Sequence, residues 1–171
     1  MIYKPDEDTF FLLDNIIPKG KILEMGAGSG YISYQLKKMG FEVVAVDIDK
    51  ESIEKISSLD IKAVLSNLFE NVSGKYDTII FNPPYLPGNI EEDITIFGGD
   101  KGQEVIEKFL EQVDDHLEKN GNIYIIFSSY NDIEHLKTRF YYFCFKRLNE
   151  KKFAFHSIFV YQLWRCEDEK S

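Results

Sequence analysis

The sequence of 171 residues predicts an α/β fold whose sheet is mostly parallel and ends in an antiparallel hairpin. Short apolar runs alternate with stretches that carry apolar residues at helical spacing, which is typical of buried parallel strands joined by helices. A glycine-rich turn follows the first apolar run. Near the C-terminus, two strand-like segments flank a charged turn, which is the signature of a hairpin.

The N-terminal part, 1–17, is predicted to form an amphipathic helix of about three turns, with Pro5 near its start and acidic residues in its first turn. Such a helix either packs on the sheet with its acids solvated or covers a ligand, and the residues leave both interpretations open. Pro18-Lys19-Gly20 ends the helix before the first strand.

The remaining elements follow the same alternation. Strands are predicted at 21–25, 41–46, 61–65, 76–81 and 122–127, and helices at 31–39, 50–59, 103–117 and 131–139. Ser128-Ser129 is expected to cap the last helix. The hairpin is predicted from segments 142–148 and 156–165 around a turn at 149–152. The loop 86–101 is long enough to serve as a substrate loop, with disorder as the alternative.

Composition limits what the chain can do. Its length and its 44% hydrophobic content favour one globular domain spanning 1–171. The longest apolar runs are too short to span a bilayer, and the N-terminus lacks the pattern of a signal peptide, so we expect no membrane association and a cytoplasmic location. The net charge of −9, from 20 basic and 29 acidic residues, disfavours binding to nucleic acid.

The sequence gives no sign of a metal site. Cys144 and Cys166 are too few and too dispersed for a disulfide framework or a zinc site. The histidines His116, His135 and His156 stand at unrelated spacings, and each is expected to be a surface or capping residue.

The first strand ends in a G-x-G-x-G turn formed by Gly26, Gly28 and Gly30, which differs from the G-x-G-x-x-G of dinucleotide folds. Strand, glycine turn and helix bring backbone close to a nucleotide-like ligand at the carboxyl edge of a sheet. Glu24, just before the turn, would repel a pyrophosphate but can pair with a cation. The stretch therefore favours a positively charged nucleoside, for which S-adenosylmethionine is the obvious candidate.

Polar residues at the tips of the next two strands extend this predicted site. Asp47 lies about 20 residues past the first glycine, where an acid holds a ribose through its hydroxyls. The alternative is that one aspartate merely caps the next helix, a role that suits Asp49. Asn67 follows the third strand and can hydrogen-bond an adenine, while Phe69 either lies beside the adenine or belongs to the core.

The fourth strand runs directly into Asn82-Pro83-Pro84-Tyr85. Two prolines stop the hydrogen-bond ladder and stiffen the loop. Asn-Pro is common in ordinary turns. These four residues, however, follow a central strand and face a glycine turn, which indicates a site of chemistry.

The arrangement of elements resembles the Rossmann-like, seven-stranded class I methyltransferase fold, and the NPPY motif at 82–85 resembles that of the amino-methyltransferases. The opening Pro5-Asp6-Glu7-Asp8-Thr9 and the later Asp100-Lys101-Gly102 are similar to the short HemK-related protein glutamine methyltransferases of archaea and eukaryotes. Those enzymes modify the glutamine of the Gly-Gly-Gln loop in class I release factors. The resemblance covers nearly the whole chain.

The resemblance implies a role for each motif residue on the cofactor side. Glu24, Gly26 and Gly28 would line the methionine end of S-adenosylmethionine, and Asp47 would hold the ribose. Thr9, with Asp8 nearby, would cover the cofactor from the N-terminal helix. Asn67 departs from the family, which commonly has an aspartate there, and an amide can still form one hydrogen bond to adenine.

On the acceptor side, the resemblance makes Asn82, Pro83 and Tyr85 the catalytic residues, with Asn82 also lining the cofactor. The Asn82 side-chain oxygen and the Pro83 carbonyl would accept the two hydrogens of a substrate amide, and Tyr85 would pack over that amide. The implied partners are a class I release factor as substrate and a small zinc-binding activator protein that pairs with the third strand, 61–65.

Two other functions compete with protein methylation. An amino-methyltransferase of DNA or RNA, acting on adenine N6 or guanine N2, faces the same geometric problem, since it must hold a planar nitrogen. The acidic balance and the lack of a separate target-binding domain count against it. A non-enzymatic cofactor-binding scaffold is the third possibility, and the intact NPPY motif speaks against it.

Overall fold

The computed structural model describes residues 6–85 and 102–170, with the side chain of Lys170 left aside. The helices in these ranges are α1 (Glu7–Asp14), α2 (Tyr31–Lys38), α3 (Lys50–Ser58), α4 (Glu104–Val113) and α5 (Ile133–Arg139). The strands are β1 (Ile22–Met25), β2 (Val43–Asp47), β3 (Lys62–Leu65), β4 (Tyr76–Phe81), β5 (Leu117–Ser128), β6 (Phe143–Lys152) and β7 (Ser157–Arg165).

The seven strands form one sheet in the order β3-β2-β1-β4-β5-β7-β6. The pairs from β3 across to β5 are all parallel, whereas β7 pairs antiparallel with both β5 and β6. This confirms the predicted α/β class, the mostly parallel sheet and the C-terminal antiparallel hairpin.

Helices cover both faces of the sheet, as the apolar strands require. On one face, α4 and α5 pack through residues such as Phe109 and Leu136 against β1, β4 and β5. On the other face, α1 and α2 pack through Leu12 and Leu36, and α3 contributes Ile56. β1 is buried at every position because it has a strand on each side and helices above and below.

Several boundaries differ from the sequence-based prediction. α1 is shorter than the predicted helix and ends at Asp14, and the side chain of its C-cap Asn15 donates to the carbonyl of Phe11 at 2.7 Å. The helix predicted to reach residue 117 ends at Val113, and a 3₁₀ turn leads into β5. Leu117 pairs with Tyr76, so its apolar side chain belongs to a strand and not to the helix. Asp132, and not Ser128-Ser129, caps α5 by accepting from the His135 amide at 3.1 Å.

The hairpin turn lies at 153–156 and not at 149–152. The charged residues that suggested a turn belong to β6, which is an edge strand of the sheet, and charge is typical of such an edge. β6 is also irregular between Arg147 and Asn149, which shifts its register against β7.

The sequence analysis judged the two cysteines too few and too dispersed for a disulfide framework, and it did not foresee that they pair with each other. Cys144 and Cys166 form a disulfide, with a Cα–Cα distance of 5.1 Å. They stand 22 residues apart in sequence, but antiparallel pairing places Cys144 opposite Trp164, close to Cys166. The sequence analysis counted spacing along the chain, whereas the hairpin sets their distance in space.

None of the helices in the described ranges has the length and apolar character needed to cross a membrane. Within the same ranges, no group of three or more His, Cys, Asp or Glu is placed to hold a metal ion. The predicted substrate loop, 86–101, lies outside the described residues.

Candidate active site

The site lies at the carboxyl edge of the sheet, where the strand order reverses between β1 and β4. β1 lies between β2 and β4, so the turns after β1 and β4 leave neighbouring strands side by side. The register pairs Met25 with Phe81, which sets the glycine turn next to Asn82. Open α/β sheets bind their ligands in the crevice beyond the carboxyl ends of the strands, at the point where the strand order reverses.

A cavity of about 480 Å³ occupies this edge, within the size range of small-molecule sites. Every residue that the sequence analysis assigned to binding or catalysis lines it: Thr9, Glu24, Gly26, Gly28, Asp47, Asn67, Asn82, Pro83 and Tyr85. Lining residues that the sequence analysis did not identify include Ile32, Ile48, Ser52, Leu68, Val105 and Lys108.

The glycine turn has the backbone geometry that its sequence predicts. Gly26 and Gly28 have φ values of 66° and 58°, which side chains rarely adopt. A Cβ on Gly26 would lie 3.4 Å from the Phe81 ring at the base of the cavity. The glycines therefore keep the turn tight and the cavity wall thin.

Glu24 is a buried carboxyl with only two described donors. It is 5% exposed, and its Oε1 accepts from the Ser33 amide at 3.1 Å and from the Ser33 hydroxyl at 2.7 Å. Burial, with a further contribution from the charge of Asp47, raises the pKa of Glu24 to about 7 although the Ser33 bonds oppose the shift. A buried carboxyl of this kind gains most from a cation placed beside it.

Asp47 ties the tip of β2 to the glycine turn. Its Oδ2 accepts from the Gly28 amide at 2.8 Å, and its Oδ1 accepts from the Asp49 amide at 2.8 Å. Each carboxylate oxygen has a second lone pair, so Asp47 can still accept from two ligand hydroxyls. Asp49 caps α3 by accepting from the Ser52 amide at 3.1 Å, which confirms the capping prediction for that residue.

The tip of the third strand presents Asn67, but not Phe69, to the cavity. Asn67 lines the cavity and is exposed, but Phe69 is 5% exposed and packs in the core against Phe109. Phe69 therefore belongs to the core, which was one of the two alternatives. Leu68, whose φ of 52° is unusual for its residue type, and Ile48 supply the apolar part of this wall. Ile48 directly follows β2, and Leu68 lies three residues past the end of β3, so both belong to loops at the carboxyl edge of the sheet.

The N-terminal helix supplies one side of the cavity. Asp6 caps α1 by accepting from the amide and the hydroxyl of Thr9, at 3.1 and 3.3 Å. Thr9 is buried, and Asp8 faces the same cavity. Burial, followed by the charge of Asp6, raises the pKa of the Asp8 carboxyl. The helix thus packs on the sheet and also lines the cavity, and its role in covering a ligand stays a prediction.

Asn82, Pro83 and Tyr85 form the wall opposite Asp47. Pro83 is buried, whereas Asn82 and Tyr85 are partly exposed toward the cavity. The Tyr85 hydroxyl bonds the Asp8 carboxylate and also lies 3.2 Å from His156 Nε2. Burial and then the negative charge of Asp8 raise the pKa of Tyr85, which keeps its hydroxyl protonated. His156 is a site neighbour that sequence reasoning missed, because the contact joins residues 71 positions apart.

The charge of the lining suits a cationic ligand. It includes five acids and, among the described residues, a single lysine: Asp6, Asp8, Glu24, Asp47, Asp49 and Lys108. A buried carboxyl, a ribose-compatible aspartate and a glycine turn match the sulfonium, ammonium and ribose of S-adenosylmethionine. The residues present therefore fit this cofactor.

The fold and the cavity together define a methyltransferase that uses S-adenosylmethionine. The chain belongs to the Methyltransferase small domain family, whose model matches residues 3–155. A provisionally named protein N5-glutamine methyltransferase of Methanocaldococcus jannaschii is 38% identical over 143 residues, which cover 75% of this chain and 73% of that protein.

Two further proteins extend the comparison. The release factor glutamine methyltransferase of Aquifex aeolicus is 31% identical over 146 residues, covering 70% of this chain and 52% of that enzyme. The chain thus spans about half of that bacterial relative. The chain also superimposes on a solved structure with a TM-score of 0.81 at 24% identity. That structure is the E. cuniculi Mtq2–Trm112 complex, which is responsible for the methylation of the eRF1 translation termination factor. That match covers 96% of this chain and 98% of that one.

Proposed function

We propose that this methyltransferase modifies the side-chain amide nitrogen of a protein glutamine, namely the Gly-Gly-Gln glutamine of a class I release factor. One observation carries the proposal. The NPPY wall and the glycine turn line the same cavity, in a chain that is 38% identical to a named protein N5-glutamine methyltransferase.

The Asn82–Pro83 wall meets the chief difficulty of the reaction. A carboxamide nitrogen is a poor nucleophile because its lone pair is delocalised into the carbonyl. The Asn82 side-chain oxygen and the Pro83 carbonyl accept the two N–H groups, which holds the amide in one orientation. Proline offers no competing N–H, and its burial fixes the carbonyl.

S-adenosylmethionine, when bound, supplies a methyl group that its sulfonium already activates. The contribution of the chain is therefore mostly orientation and electrostatics. Glu24 and Asp47 hold the cofactor side of the cavity, and Tyr85 flanks the flat amide. Methyl transfer would form the N–C bond as the bond from the methyl carbon to the sulfonium breaks, and the amide would release one of its two protons to solvent water. The remaining N–H would keep one of the two acceptors, the Asn82 side-chain oxygen or the Pro83 carbonyl.

Methyl transfer from labelled S-adenosylmethionine tests the proposal directly. The acceptors are purified release factor, its Gly-Gly-Ala loop variant, and bulk tRNA, rRNA and DNA, each with and without a Trm112 homologue. Label on wild-type release factor alone is the expected result. Label on nucleic acid would overturn it in favour of base methylation, and cofactor binding without any transfer would favour a scaffold.

A small zinc-binding activator is the second partner that we propose. β3 is an edge strand of the sheet and is only partly buried, with Leu65 45% exposed. An unpaired edge with apolar side chains is a template for an added strand. The Leu65→Lys substitution would place a charge on this edge of β3. It should lower the affinity for the Trm112 homologue at least about tenfold and leave the affinity for the cofactor unchanged. Both proposed partners belong to translation, so we place the enzyme in the cytoplasm.

A further inference from the structure

The turn between β6 and β7 reaches the catalytic wall. His156, the last residue of this turn, lies with Nε2 3.2 Å from the Tyr85 hydroxyl. Two aromatic rings stack on its imidazole, Phe153 at 4.9 Å and Tyr130 at 5.5 Å between ring centroids. The ring is therefore held in place by packing, and its nitrogen is aimed at the motif residue.

The direction of the hydrogen bonds follows from the available hydrogens. When the Asp8 carboxyl is ionised it can only accept, and the Tyr85 hydroxyl that bonds it then donates its single hydrogen to Asp8. The Tyr85 oxygen can then only accept from His156, which requires a hydrogen on Nε2. A chain of donors therefore runs from His156 through Tyr85 to Asp8, and it joins the hairpin turn, the NPPY wall and α1.

The hairpin contacts α1 at two other points. Lys151 Nζ lies 3.3 Å from the Glu7 carboxylate, and the Asn149 side chain donates to Asn15 Oδ1 at 3.3 Å. These contacts lie toward opposite ends of the helix. Both are exposed, so each contributes little alone. Together with the His156 chain, they hold the helix that carries Thr9 and Asp8 against the cavity.

We propose that His156 is a positioning residue for the acceptor. By donating from Nε2 to the Tyr85 hydroxyl, it fixes the Tyr85 ring where that ring flanks the substrate amide. The proposal rests on the proposed function only for the identity of the acceptor. It predicts an effect on turnover and not on cofactor affinity, because His156 itself does not line the cavity.

Two replacements separate the hydrogen bond from simple packing. His156→Phe keeps a ring between Phe153 and Tyr130 but removes the donor. His156→Gln loses the ring but keeps an N–H near the position of Nε2. A packing role predicts that the phenylalanine variant works better, whereas the positioning role predicts that the glutamine variant does. His135→Phe is the matched control, because His135 is an exposed histidine that pairs with Glu107 outside the cavity.

A double-mutant cycle with Tyr85→Phe tests whether His156 acts through the hydroxyl. We expect His156→Phe to lower kcat about tenfold and to leave the cofactor Kd unchanged within about twofold. The kcat of His156→Gln should stay within about threefold of that of the wild type. In the Tyr85→Phe background, His156→Phe should cost nothing more. Losses that multiply, or a phenylalanine variant with wild-type kcat, would overturn the proposal.

Histidine nitrogen NMR gives a readout independent of catalysis. The chain has three histidines, so the His156 signals are those missing in His156→Gln. Long-range proton–nitrogen correlations should show that Nε2 carries the hydrogen in the wild-type protein. The chemical shift of Nε2 should change in the Tyr85→Phe variant. An Nδ1–H tautomer would refute the assignment. Failure of the proposed function gives a different result, because the wild-type enzyme would then label no release factor. The double-mutant cycle would in that case be measured with whichever acceptor the enzyme does label.

Discussion

The two halves of the cavity are built in different ways. The cofactor half, with Glu24, Gly28 and Asp47, comes from one contiguous stretch and is held by short bonds that involve backbone amides. The acceptor half joins Asp8, Tyr85 and His156 from three distant parts of the chain through side-chain bonds. The first half is a local motif of the sequence, and the second exists only after the sheet and hairpin have formed.

This difference has a functional consequence. The cofactor is the same small molecule for every enzyme that uses it, and here the contiguous segment from β1 to the tip of β2 supplies Glu24, Gly28 and Asp47. The acceptor must be recognised at a protein surface, and the hairpin turn, which carries His156, lies outside the cavity lining. Variants should therefore separate cofactor binding from methyl transfer, depending on which half they affect.

The sharpest separation is expected from Asn82→Ala. Removing an acceptor that orients the amide should lower turnover at least about 100-fold, whereas the cofactor Kd should stay within about threefold. Single-turnover rates and calorimetric titration measure the two effects. Asn71→Ala is the matched control, since the Asn71 side chain donates to the Leu65 carbonyl and does not line the cavity. Parallel loss of turnover and binding would show that Asn82 serves mainly the cofactor.

Asp47→Ala should produce the opposite pattern. It removes the acceptor of the Gly28 amide as well as the proposed ribose ligand, so we expect the cofactor Kd to rise at least about 100-fold. Turnover at saturating cofactor should change much less. Asp49→Ala is the comparison, because it removes a helix cap and should cost about 1 kcal/mol of unfolding free energy with little change in Kd. Equal losses of affinity in both variants would contradict the division of roles between the two aspartates.

The same contrast explains what the sequence could predict. The glycine turn, the ribose-compatible aspartate and the Asp49 cap depend on residues close together in the chain, and the structure places all of them as expected. β4 has the predicted bounds because its apolar run ends in two prolines. Local rules were sufficient for these features, since short-range sterics and capping determine them.

Other features depend on partners that the sequence does not reveal. The charged stretch 149–152 resembles a turn but forms an edge strand, and only pairing with β7 fixes its register. The Cys144–Cys166 bond and the His156–Tyr85 contact follow from that same register. Antiparallel pairing after a bulge cannot be counted from sequence spacing, so these were missed.

Glu24 makes cofactor binding depend on pH. Its pKa of about 7 means that the carboxyl is neutral below that pH and must lose a proton to pair with a cation. Cofactor affinity should therefore rise by up to about tenfold per pH unit below 7 and level off above it. Calorimetry in buffers of different ionisation enthalpy should show proton release near pH 7. A flat profile between pH 6 and 8 would contradict the role of Glu24.

Glu24→Gln should reveal the stability cost of the same carboxyl. A folded-state pKa raised from 4.5 to about 7 disfavours the folded protein as pH rises through this range. The glutamine variant escapes that loss, so it should unfold at a higher temperature than wild type at pH 8, with a gain of at most about 3 kcal/mol. At pH 5 the two proteins should be similar. The variant should bind S-adenosylmethionine more weakly at pH 8, and the difference should shrink toward pH 5, where the wild-type carboxyl is also neutral.

The smallest effect on catalysis is expected from the Cys144–Cys166 disulfide. It joins the start of β6 to the residue after β7, at the end of the hairpin opposite the turn that carries His156. In the chain-entropy view, a bond across 22 residues contributes about 3 kcal/mol, so Cys144→Ser should lower the Tm by roughly 5–10 °C. Turnover below the Tm should stay within about twofold, because the contacts to Tyr85 and α1 are formed at the other end. A large loss of kcat with intact cofactor binding would show instead that the acceptor half depends on the whole hairpin.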